Sequence, residues 1–135
     1  MITNPFHHRM TSEFVRTHIP ANALGIIALG AHPTCCLLDW RLLVRGENPA
    51  VKVTPQKIIR EALQMNAESF LVFVRKTEGD NHPSKADIIL AKALREGGEA
   101  LGVPFLDYVV VSEGEGGHGY HSFRVHEGWT ELASA

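Results

Sequence analysis

The sequence predicts an α/β domain in which helices flank a mixed central sheet. Three observations lead there. Apolar runs of strand length recur along the chain: LGIIAL at 24–29, SFLVFV at 69–74 and FLDYVVV at 105–111. Two longer segments, opening at Thr54 and Ser84, carry apolar residues at helical spacing behind capping residues. The resulting order is strand, strand, helix, strand, helix, strand, strand, the pattern of a mixed α/β domain.

Taken in chain order, residues 1–20 are the least patterned, and a loosely packed N-terminal arm is expected before a domain spanning 21–135. Leu24 to Leu29 reads as a buried strand, broken by His32-Pro33. Thr34 to Val44 reads as its hairpin partner, with Arg45 to Pro49 as the following turn. Thr54 can cap a helix whose first residue is Pro55, since the N–H that proline lacks would be unpaired there anyway. Ile58, Ala62 and Met65 then recur at helical spacing, as do Ile59 and Leu63, and the helix should end near Asn66. Ser69 to Val74 is a buried strand, and 75–83 a polar loop.

Ser84 with Asp87 three residues on forms a capping box. Leu90, Leu94, Gly97 and Leu101 give the second helix one face, and Gly102 its stop. Phe105 to Val111 is a strand, Gly114 to Gly119 a glycine-rich turn, and Tyr120 to Val125 a last strand.

At 135 residues, 44% hydrophobic and 21% charged, the chain has the composition of a globular domain and is long enough to fold without a disulfide or a structural metal. The net charge of -2, with no basic run, makes nucleic-acid binding unexpected, because that binding draws on clustered cations. No apolar run is long enough to span a membrane. Cys35 and Cys36 are adjacent, which disfavours a disulfide and matches no zinc or redox spacing; free thiols suit a cytoplasmic location.

Several segments from Val53 to Trp129 resemble the RadC-like family of JAB/MPN (JAMM-type) domains. They are TPQKIIREALQMNAESFLVF, PSKADIILAKALREGGEALGVPFLDYVVV and YHSFRVHEGW, in the family's order and at compatible spacing. The resemblance implies a JAB/MPN fold and a catalytic zinc held by a His-any-His pair and an Asp. A water fills the fourth position, with a Glu as general base and a Ser supporting the transition state.

Ser84 and Asp87 fall on the family's Ser and Asp. The two His positions then fall on Val74 and Lys76. Valine has no ligand atom, and a lysine ammonium repels zinc. Gly79 and Asp80 keep the family's Gly-Asp, which supports the register. The upstream Glu has no clear counterpart; Asp39 is the carboxylate in the candidate region 37–41.

Each of these residues also has a plainer role. Ser84 and Asp87 need only cap their helix. His82 beside Pro83 reads as a solvated loop residue, as do His7-His8 near the N-terminus and the set His118, His121 and His126. Gly114 to Gly117 lacks the Lys-Ser/Thr ending of a phosphate loop. Trp40 and Trp129 read as core or edge anchors.

The expectation is therefore a catalytically inactive JAB/MPN domain that needs no cofactor and works by binding another protein or a second copy as a homodimer. The alternative is a zinc metallohydrolase of peptidase or isopeptidase type, with a rearranged site using Asp39, His82 and Asp87. A DNA-repair role rests on the family name and fold analogy alone.

Overall fold

The computed structural model describes residues 8–30, 37–76, 82–112 and 119–129. Five strands form one sheet: β1 (Ala23–Leu29), β2 (Leu37–Arg45), β3 (Ser69–Arg75), β4 (Phe105–Val111) and β5 (Tyr120–Ser122), in the order β2-β1-β3-β4-β5. The β3–β4 pair is parallel and the others antiparallel. The parallel pair needs a crossover, which helix α3 (Lys85–Leu101) supplies.

Both faces of the sheet are covered, which is why its strands read as continuous apolar runs rather than alternating ones. Leu24, Ile26, Val72 and Val110 face α2 (Pro55–Gln64) and α3, where Ile58, Ala62, Leu90 and Leu94 complete the cluster. On the other face Ile27, Leu71, Phe73 and Val109 pack against Val15 and Ile19. Gly25 sits where a Cβ would meet the Phe73 ring at 2.3 Å and the Arg41 carbonyl oxygen at 2.5 Å, so the strands close over it.

Helix α1 (His8–His18) corrects the expectation of a loose arm for residues 8–20; residues 1–7 of that expected arm lie outside the described residues. Val15 and Ile19 are buried. Arg75 at the end of β3 donates to the carbonyl oxygens of Arg16 (3.3 Å) and Ile19, satisfying the end of α1 with a cation where helix carbonyls are unpaired.

The last strand is also shorter than expected. β5 stops at Ser122, and Phe123–His126 forms a short helix, α4. The Ser122 hydroxyl accepts from the Val125 N–H, and Asp107 of β4 accepts from the Arg124 N–H, so two side chains take up N–H groups that a longer strand would have placed in a ladder.

A 3-10 turn, Pro49–Lys52, links β2 to α2. Leu63 and Leu101, expected on buried helix faces, are 47% and 57% exposed, beside a shallow groove between α2 and α3. Cys35, Cys36, the Gly114–Gly117 stretch and His118 lie outside the described residues, as do residues 34–36 of the expected second strand. Among the described residues no helix is long and apolar enough to cross a membrane.

Candidate functional site

Where β3 ends and α3 begins, a capping box is built into a larger network. The Ser84 hydroxyl accepts from the Asp87 N–H (3.1 Å), and the Asp87 carboxylate accepts from the Ser84 N–H (2.8 Å) and the Ser84 hydroxyl (2.9 Å). Its other oxygen accepts from the Tyr108 phenol at 2.6 Å. Asp87 is 2% exposed, so these donors and the helix N-terminus are what keep a buried carboxylate hydrogen-bonded. Burial first, then the charge and hydrogen bond of Asp87, hold the Tyr108 pKa well above its ordinary range, so the phenol remains a donor.

Lys76 follows directly on β3. Its backbone N–H donates to the Val111 carbonyl (2.8 Å), extending the β3–β4 pairing by one residue. Its ammonium donates to the His82 carbonyl (2.8 Å) and stands 3.8 Å from Asp87 Oδ2. Val74, two residues earlier, is 1% exposed and packs in the core. A cavity of about 410 Å³ opens here, lined by Asn22, Glu47, Asn48, Val74, Lys76, Ser84 and Asp87 among others.

Glu47 in this wall was not singled out from the sequence, where it sat in a turn. The Gly46 N–H donates to the Asn22 carbonyl (2.8 Å), folding that turn over the start of β1 and bringing Glu47 to the cavity. Asn22 and Asn48 adopt left-handed backbone conformations (φ 55° and 49°), which asparagine tolerates better than most residues.

The sequence-derived candidates separate. Ser84 and Asp87 are in contact. His82 lends its carbonyl to Lys76 and is not among the residues lining the cavity. Asp39 pairs with Ala28, four residues along β1 from Leu24, the partner of Val74; at strand rise that is about 13 Å. Its carboxylate is 57% exposed, accepts from the Trp40 N–H (2.8 Å) and lies 3.9 Å from Arg41. Gly79 and Asp80 lie outside the described residues.

The zinc implied by the family resemblance does not fit this donor set. One aligned position is valine, the other presents an ammonium to the remaining carboxylate, and that carboxylate already accepts from Ser84 and Tyr108. Among the described residues no three His, Cys, Asp or Glu side chains gather in a way that could hold an ion.

A second buried carboxylate lies further along β4. Asp107 accepts from the Tyr108 N–H (2.7 Å), the Ser122 hydroxyl (2.6 Å) and the Arg124 N–H (3.0 Å). Burial raises its pKa to about 6, against the lowering effect of those hydrogen bonds. Beside it the chain reversal at α4 stacks the rings of His121 and His126, with centroids 4.9 Å apart. His121 bonds Glu127 (3.0 Å) and is 17% exposed, not the solvated residue expected; burial lowers its pKa.

Comparison with known proteins bears on this geometry. The model of the RadC-like JAB domain family matches residues 26–129. The chain belongs to that family. A UPF0758 protein of Thermotoga maritima is 37% identical over 94 residues, 64% of this chain and 40% of the relative. One from Aquifex aeolicus is 29% identical over 112 residues, 83% of this chain and 47% of the relative. One from Pseudomonas syringae pv. syringae is 29% identical over 114 residues, 84% and 50%. The chain thus spans about half the length of the curated relatives it matches. The five-stranded mixed sheet with flanking helices is the architecture expected of a RadC-like JAB domain, and the family match includes Val74, Lys76, Ser84 and Asp87.

Proposed function

We propose that this RadC-like JAB domain is catalytically inactive and acts by binding another protein. One observation carries the reading: the Lys76 ammonium stands 3.8 Å from Asp87, the residue aligned with the family's acidic ligand. A cation placed there repels a divalent ion, and Val74 offers no atom to replace it. Asp87, Ser84 and Tyr108 make a hydrogen-bonded cluster at the start of α3, and Lys76 adds an ion pair to it at 3.8 Å. The rearranged zinc site of Asp39, His82 and Asp87 gains no support from positions that place Asp39 at the far end of the hairpin.

The test is elemental analysis of protein purified without a His tag and dialysed against zinc. The expected result is no stoichiometric metal, with the fold intact by circular dichroism. One equivalent of zinc, lost in Asp87→Asn, would overturn the proposal and return the domain to the hydrolases.

A further inference from the structure

β2 is one of the two edge strands among the described residues. One side pairs with β1, and among the described residues no strand pairs with the other. An open edge of this kind is a template for another strand unless it is guarded. The central N–H on this edge, that of Trp40, is donated to the carboxylate of its own neighbour Asp39 (2.8 Å), which covers it on the outer side.

The charges around that point are self-complementary. Asp39 and Arg41 flank Trp40 symmetrically. Both side chains lie on the α2 face, where Arg41 donates to Glu61 (2.9 Å). Trp40 lies on the α1 face, edge-on to Phe14 with ring centroids 5.4 Å apart.

We infer that β2 is an interface for a second copy of this chain, pairing antiparallel with its own counterpart about a two-fold axis at Trp40. In that register each Asp39 stands opposite the other copy's Arg41, and the two Trp40 side chains stand opposite each other on the other face. A two-fold contact requires the same patch to complement itself, and opposite charges on either side of the axis satisfy that requirement. Directly opposed charge pairs and aromatic pairs are the contacts that stabilise antiparallel strands. The Asp39 carboxylate then exchanges its own-chain Trp40 N–H for the partner copy's guanidinium, and the freed N–H pairs with the partner copy's backbone. Asp39 acts as a latch on the edge, covering it in the single chain and helping to seal it in the pair. The inference does not depend on whether the Lys76 cavity is catalytic.

Light-scattering mass across a dilution series tests it, using three proteins whose fold is checked by circular dichroism. The wild type should reach twice the 14.9 kDa chain mass on concentration. Asp39→Arg places Arg against Arg, and Arg41→Asp places Asp against Asp, so each variant alone should stay at the single-chain mass. Mixed together, they regenerate both opposite-charge pairs and should form a one-to-one dimer. In the wild type, hydrogen exchange of the Trp40 amide should slow on concentration, an arm that needs no substitution. A wild type that stays at single-chain mass, variants that dimerise as well as it does, or a Trp40 amide indifferent to concentration would each overturn the proposal. Binding of a different protein's strand by a wild type that never self-associates would assign the edge to that partner instead.

Discussion

The phenol of Tyr108 donates to the carboxylate of Asp87 across 2.6 Å, tying the middle of β4 to the first turn of α3. Tyr108→Phe removes that donor while keeping the ring among Phe105 and Phe123. A buried acceptor stripped of one partner costs about 1–3 kcal/mol. Urea denaturation should show a loss in this range, and Asp87→Ala, which breaks the whole cap, a larger one.

On the proposed reading, placing the expected His-any-His pair at 74 and 76 should create metal binding. Val74→His with Lys76→His replaces a core methyl pair and the cation by two imidazoles facing Asp87. The double variant is expected to take up one zinc, measurable by elemental analysis, and to lose it when Asp87→Asn is added. Lys76→His alone should bind more weakly, because a single added imidazole leaves the donor set short of the usual three protein ligands.

The raised pKa of Asp107 makes a signed prediction. Its folded value is about 6 against 3.8, so the folded state binds the proton more readily than the unfolded chain does. The stabilisation is fully present below pH 3.8 and is lost as pH rises through about 6. A shift of this size is on the order of 3 kcal/mol. Asp107→Asn can keep the Tyr108 and Arg124 donors on its oxygen and donate its amide to Ser122. Its stability between those pH values should change less with pH than that of the wild type, as read by denaturant midpoints.

Arg75 anchors α1 through the carbonyls of Arg16 and Ile19. Arg75→Met keeps much of the side-chain volume and removes the donors, at about 1.5–3 kcal/mol for hydrogen bonds to a charged group. Amide exchange should rise first in residues 11–19, before the β1–β3 core opens.

The sequence by itself determined the four longer strands and the two long helices, and it supplied the register on which the proposed absence of a zinc site rests. These are local properties. Strands buried on both faces leave unbroken apolar runs such as SFLVFV, caps such as Thr54-Pro55 and Ser84-Asp87 span only a few residues, and ligand identity is read off one register.

What only the tertiary structure decided involves groups far apart in the chain. Helix α1 has only a short buried face, Thr11, Val15 and then Ile19, which finds its place by packing on β3 and β4, with Arg75 holding its end. Tyr108 could be read as one more residue of an apolar strand, although a buried phenol needs a partner, and that partner lies 21 residues away. Asp107 and Ser122 belong to two separate family-like motifs and meet only when β5 folds against β4, where their bond helps turn the chain into α4. Glu47 reached the cavity, and Asp39 the opposite end of the hairpin, because strand register sets which end of the sheet a residue occupies. Composition cannot supply that register; it comes from the packing of β1 between β2 and β3.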